Sequence, residues 1–262
     1  MRCGTVYWRW PAGLAFLGAG RRLPPTWWRP GSPPTEVVTN SGWTFAAAPY
    51  FWMAGMEGDI AQFGLSPIPV DASFSDIIEN FDIGFMGVAE LRYDRYALLT
   101  DVMYVKLSAS APTPLQILAP SVDVTSETFT MLGAGSYRMI ESDQGHLDVL
   151  AGGRLWYVNT EIDPAGLGIT FDDGDTWVDP IIGASGRVNL TPEVFLTGWA
   201  MIGGFGAASE LTWDLMGGAG YAINDRWSIV GGYRALSVDY ENDGFLFAVV
   251  QHGPFLGARI AF

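Results

Sequence analysis

The 262-residue chain is poor in the residue types that usually announce a chemistry. Cys3 is its only cysteine, which excludes an internal disulfide and a zinc site built on several thiolates. Its only histidines are His146 and His252. No signature ties His252, flanked by Gln251 and Gly253, to a nucleophile. Basic residues are scarce as well, with 14 Lys and Arg against 28 Asp and Glu. Arg2, Arg9, Arg21, Arg22 and Arg29 all precede residue 40, so residues 41–262 hold 9 basic and 27 acidic side chains, a balance of −18. A domain this acidic repels a phosphate backbone, which argues against a nucleic-acid partner. Long apolar runs are also missing: no stretch reaches the about 18 residues read as a membrane-crossing helix. Yet hydrophobic residues make up 49% of the chain and its mean hydropathy is +0.19.

What the chain has instead is alternation. Its last residues show the pattern: Leu256, Ala258, Ile260 and Phe262 share one parity, and Gly257, Arg259 and Ala261 the other. A strand that is greasy on one face, carries Arg on the other and stops on an aromatic fits a closed barrel in lipid. From Ser41 onward ten such segments follow, near 42–54, 83–93, 96–107, 122–139, 146–160, 176–190, 194–205, 210–223, 227–240 and 245–262. The count falls to eight if two of them are loop hairpins. The fold class read from this pattern is all-β, a single antiparallel transmembrane barrel over 41–262. Tight turns at 93–96, 141–145, 189–193 and 224–226 alternate with long connections at 55–81, 108–121 and 161–175. Short turns belong on the periplasmic side and long loops outside. Within 55–81, the segment 73–81 predicts a short helix capped by Ser73 or Ser75.

Parity also sorts the charges. If Phe45, Phe85, Leu98, Met131, Val149 and Leu215 face lipid, then Glu90, Arg92, Asp101, Arg138, Asp148, Arg154, Asp179, Arg187, Asp214, Arg234 and Arg259 all face the lumen. An Arg on the lipid face near mid-bilayer costs about 2–4 kcal/mol, so the inward set is expected to form a network of Arg–carboxylate pairs. Two readings follow: a salt-bridged plug, or a small polar pore with little ion preference because its charges nearly cancel. Trp43, Tyr93, Tyr96, Tyr137, Tyr221, Trp227 and Phe262 are expected to form an aromatic girdle at the membrane interface. Phe195 and Trp199 fall inward by the same parity.

These features resemble small Gram-negative outer-membrane β-barrel proteins of the porin-like or OmpA-like class. The resemblance covers about 41–262 and includes Gly257, Ile260 and Phe262, similar to the C-terminal signal read by the barrel-assembly machinery. Phe255 departs from that signal, which usually has a polar residue there. The class implies residence in a bacterial outer membrane, contact with lipid and lipopolysaccharide, and a monomer. It implies no single activity, and neither a cofactor nor a metal is expected from the residues. A barrel enzyme acting on lipid A or peptides, and a soluble barrel holding a small apolar ligand, are the competing readings. Residues 171–175 resemble half of a calcium loop but lack its full spacing and terminal Glu, so they read as a solvated acidic loop. Residues 1–40 read as an N-terminal extension, either a degraded or misannotated signal peptide with the apolar run 12–19 as its core or a disordered segment.

Overall fold

Hydrogen-bonded strands close into a ring in this protein, described by a computed structural model over residues 42–112 and 121–262. In chain order the elements are β1 (Trp43–Trp52), β2 (Gly55–Ala61), β3 (Ile68–Ala72), helix α1 (Phe74–Glu79), β4 (Phe81–Tyr93), β5 (Tyr96–Pro112) and β6 (Ser121–Ser142). They continue with β7 (Gly145–Pro164), β8 (Phe171–Asn189), β9 (Val194–Gly204), β10 (Leu211–Ala222), β11 (Trp227–Asn242) and β12 (Phe245–Ala261). β1 and β4 to β12 are successive neighbours around the wall, and β12 returns to β1 antiparallel, with Ala47 opposite Ile260 and Phe51 opposite Leu256. Each of the ten segments read from the alternation becomes one wall strand, so the count is ten and not eight. The expected N-terminal extension lies outside the described residues.

Turn chemistry fixes the hairpins. Asn224 Oδ1 accepts from the backbone N–H groups of Arg226 and Trp227, both at 2.9 Å, so a side chain closes the turn between β10 and β11. Asp243 and Gly244 both take positive φ, 47° and 88°, as a two-residue turn matched to strand twist requires. Period-two alternation then sets the faces. Phe45, Phe85, Leu98, Val149, Val178, Ile182, Leu215 and Leu256 are exposed on the outer surface, forming an apolar belt. The core is the lumen itself, where Leu132, Trp156, Leu236 and Val238 are almost fully enclosed.

Two connections differ from expectation. β7 and β8 stay paired as far as Ile162 opposite Phe171. Asp172, Asp173 and Asp175 therefore lie on a strand and not in a solvated loop. Continued pairing satisfies backbone groups that a loop would leave to water. The connection 55–81 is also more than a loop with a helix. After a break at Met53 and Ala54 the chain resumes as β2 along the same neighbour, β12, and folds back as β3. Gly253 makes this possible, because a Cβ there would lie 2.0 Å from the Met53 carbonyl oxygen.

α1 follows with Ser73 as its N-cap. Ser73 Oγ accepts from the Asp76 N–H at 3.3 Å, and Asp76 Oδ2 accepts from the Ser73 N–H at 2.9 Å. Hydrogen bonds from the Ser73 hydroxyl and backbone hold the Asp76 carboxyl below its ordinary value. A depressed pKa favours the folded cap above the usual carboxylate range, and that support is lost as pH falls through the depressed value. Ser73→Ala removes the hydroxyl but keeps the backbone N–H, and is expected to raise the Asp76 pKa part of the way toward the ordinary carboxylate value and to speed amide exchange at Asn80 about fivefold. Carboxyl-detected NMR titration and hydrogen exchange read the two effects.

Candidate functional site

The lumen is filled in three layers. Nearest the short-turn end, Arg92 grips Glu90 with Nε and Nη2, both at 3.1 Å, and also donates to Asp148. Arg138 reaches the other Asp148 oxygen at 3.0 Å and Glu141 at 3.3 Å. Arg92, Arg138 and Asp148 are buried, whereas Glu90 and Glu141 keep contact with solvent.

The middle layer crosses the barrel. Asp214 on β10 accepts from Arg154 on β7 at 2.6 Å and from Arg234 on β11 at 2.7 and 3.1 Å. Trp199 Nε1 donates to the same carboxylate at 2.9 Å. Arg234 continues to Asp101 on β5 at 2.6 Å and to the Tyr50 oxygen on β1 at 2.6 Å, and the Tyr50 hydroxyl donates to Asp101 at 2.8 Å. The Arg234 guanidinium also sits 5.2 Å from the centre of the Trp52 ring and 5.0 Å from that of Trp199, within cation–π range. Strands on opposite sides of the wall are thus bonded through one network.

Above it lies an aromatic layer that the sequence reading did not single out. Trp177 stacks on Tyr240 with centroids 3.9 Å apart and lies parallel to Trp156 at 5.8 Å, with Phe245 and Phe247 edge-on. Asp179 is fully buried beside this layer and takes no Arg. Its oxygens accept from the Ser209 N–H at 2.8 Å, the Ser209 hydroxyl at 2.7 Å and Trp177 Nε1 at 3.2 Å, which pins the β9–β10 connection into the lumen. Here the expected Arg–carboxylate pairing gives way, because a loop backbone supplies the donors locally.

All eleven inward charges named from parity point into the lumen, but they are not one network. Arg187 lies 3.6 Å over the Phe195 ring and donates to Asn189 at 2.8 Å. The Phe195 ring in turn occupies the space where a Cβ on Gly220 would stand, 2.1 Å away, so a glycine is required there. Arg259 lines the lower cavity with Arg187, Glu90 and His146, a space of about 190 Å³ toward the short-turn end. Glu141, Tyr50 and Trp199 complete the network and were missed as members. Glu141 lies past the bulge at Arg138 and Ile140, and a Tyr or Trp on an inward position carries no charge to flag it.

The girdle aromatics gather at the short-turn end: Trp43 meets Tyr93 at 4.9 Å, Tyr96 meets Tyr137 at 5.2 Å, and Tyr221 and Trp227 are exposed nearby. Phe262 packs on Phe45 at 5.5 Å and donates its N–H to the Phe45 carbonyl at 2.8 Å. Ile260 lies between Ala47 and Trp227, and Gly257 lies against Tyr50. The C-terminal segment therefore closes the ring. His252 faces outward, with Nδ1 2.7 Å from the Tyr233 oxygen and Nε2 3.1 Å from Glu57. Both ring nitrogens are occupied, and neither faces a Ser, Thr or Cys.

No protein-family model and no curated protein matches the chain. Solved structures do. The outer membrane protease OmpT from Escherichia coli aligns with 85% of this chain and 98% of its own, at 9% identity and TM-score 0.54. Ail, the attachment invasion locus protein of Yersinia pestis, aligns at 11% identity and TM-score 0.35 over 84% and 99% of the two chains. Neisserial surface protein A aligns at 14% and 0.34 over 85% and 98%. The last two are too distant in shape to carry an argument. At these identities the likeness is one of fold: the chain is a closed antiparallel barrel of the outer-membrane kind.

Proposed function

We propose that this protein is a monomeric barrel of a Gram-negative outer membrane, structural or porin-like with at most a narrow polar solute path, and not an enzyme. The observation that carries this reading is the middle layer, where Asp214, Arg154, Arg234, Asp101 and Tyr50 join β1, β5, β7, β10 and β11 across the lumen. Exposed apolar side chains around the outer wall support residence in lipid, since a water-facing wall would carry charge there. The barrel-assembly machinery is the partner during insertion, and outer-membrane lipid and lipopolysaccharide surround the mature wall. Ten strands lie near the narrow end of the barrel range, far from the 16–18 strands of water-filled porins.

Refolded protein in a planar bilayer is expected to give a flat current trace. Discrete conductance steps would overturn the plug in favour of the polar path. Turnover of lipid A or of a peptide substrate by the pure protein would overturn the non-enzymatic part of the reading.

A further inference from the structure

The wall has a seam. β4 pairs with β1 only from Tyr93, opposite Trp43, to Gly87, opposite Pro49. Pro49 has no N–H to offer, and beyond it residues 81–86 pair with β5 alone. On the other side, β2 and β3 carry the sheet away along β12, and β3 has no neighbour beyond β2. A closed barrel should leave no unpaired edges, and here β3 and residues 81–86 of β4 each present one. The lower part of the seam lies within the apolar belt, where Phe51, Leu256, Phe85 and Ile83 are all exposed. α1 covers it with an apolar face made by Phe74, Ile77 and Ile78, and Phe74 meets Phe51 edge-on at 6.0 Å.

Behind the seam is a cavity of about 140 Å³, distinct from the lower one, lined by Phe51 and α1 on the outer side and by Trp52, Met86, Met103, Val105 and Phe247 within. Its sulfur and ring surfaces suit an apolar guest. The Thr130 hydroxyl lines it too, is almost fully buried and has no hydrogen-bond partner. The tip of the β2–β3 hairpin crosses the mouth, where the Phe63 N–H donates to Asp173 on the opposite strand β8. The Arg234 network lies toward the other end.

We infer that the seam is a lateral portal through which an apolar molecule of single-ring size passes from the surrounding lipid into this cavity. A cavity of about 150 Å³ with an apolar lining is enough to hold benzene, which sets the guest's volume. The Thr130 hydroxyl accommodates one polar substituent on the ring. The entry route rests on the proposed membrane residence; the binding cavity does not, and conductance tests neither.

The test uses the full chain in lipid nanodiscs with 13C-methyl methionine, titrated with toluene. Saturable shifts are expected at Met56, Met86 and Met103, with no saturation at the outward Met131 and Met139. Shifts that grow linearly and alike at all five are partition into lipid and overturn the site. Val105→Phe fills the cavity and is expected to weaken binding at least tenfold, while Met131 still reports partition. If that variant does not fold, the wild-type titration decides the site alone. Phe74→Ala is expected to speed guest exchange several-fold at unchanged end-point shifts; an unchanged exchange rate overturns the portal.

Discussion

Asp214→Ala is expected to destabilise the barrel by about 3–5 kcal/mol, the range for removing one partner of a buried ion pair. Asp214 receives three hydrogen bonds from Arg154 and Arg234 and one from Trp199. Its loss leaves Arg154 with no ion-pair partner and Arg234 with Asp101 alone. Arg154 already has Nε and Nη1 buried without protein acceptors, so it has little slack. Denaturant unfolding of protein folded into vesicles measures the effect. Replacing all four charges together (Asp101→Leu, Arg154→Leu, Asp214→Leu, Arg234→Met) should recover most of the loss, since a packed apolar layer needs no compensation. If the single variant unfolds like wild type, the middle layer does not hold the wall together.

Trp177→Ala is expected to cost about 3–5 kcal/mol by the cavity it leaves. Its ring is the centre of the aromatic layer, between Tyr240 and Trp156. Its Nε1 also donates to the Ser209 hydroxyl oxygen at 3.0 Å and to Asp179, which is fully buried, at 3.2 Å. Trp177→Phe separates the two contributions: it keeps much of the stack and drops the N–H shared between Ser209 and the Asp179 carboxylate, a hydrogen bond to a charged group being worth about 1.5–3 kcal/mol. Equal losses in the two variants would show that the hydrogen bond outweighs the packing. The same denaturant series reads both.

The lumen also shows where local reasoning stops. Arg154 stands directly opposite Asp179 in the β7–β8 register, the obvious pair from the strand pattern. Its carboxylate partner is Asp214, three strands away. A guanidinium on a curved wall points across the ring, and the chord to β10 is available only once the sheet has closed. Asp179 meanwhile is taken by Ser209 from a connection whose path no periodicity encodes.

The sequence by itself determined which side chains face in and which face out, because side-chain direction in a strand has a period of two and the apolar and charged residues alternate with that period. It also placed the tight turns and a short helix with its cap at Ser73 or Ser75, which follow from contacts within a few residues, and it marked out ten alternating segments without closing them. Only the tertiary structure decided which charge meets which, how the aromatic layer packs in the upper lumen, and that β1 parts from β4 beyond Pro49. Those outcomes depend on curvature, shear and closure, which bring together residues as far apart as Arg234 and Tyr50, and no local pattern carries that information.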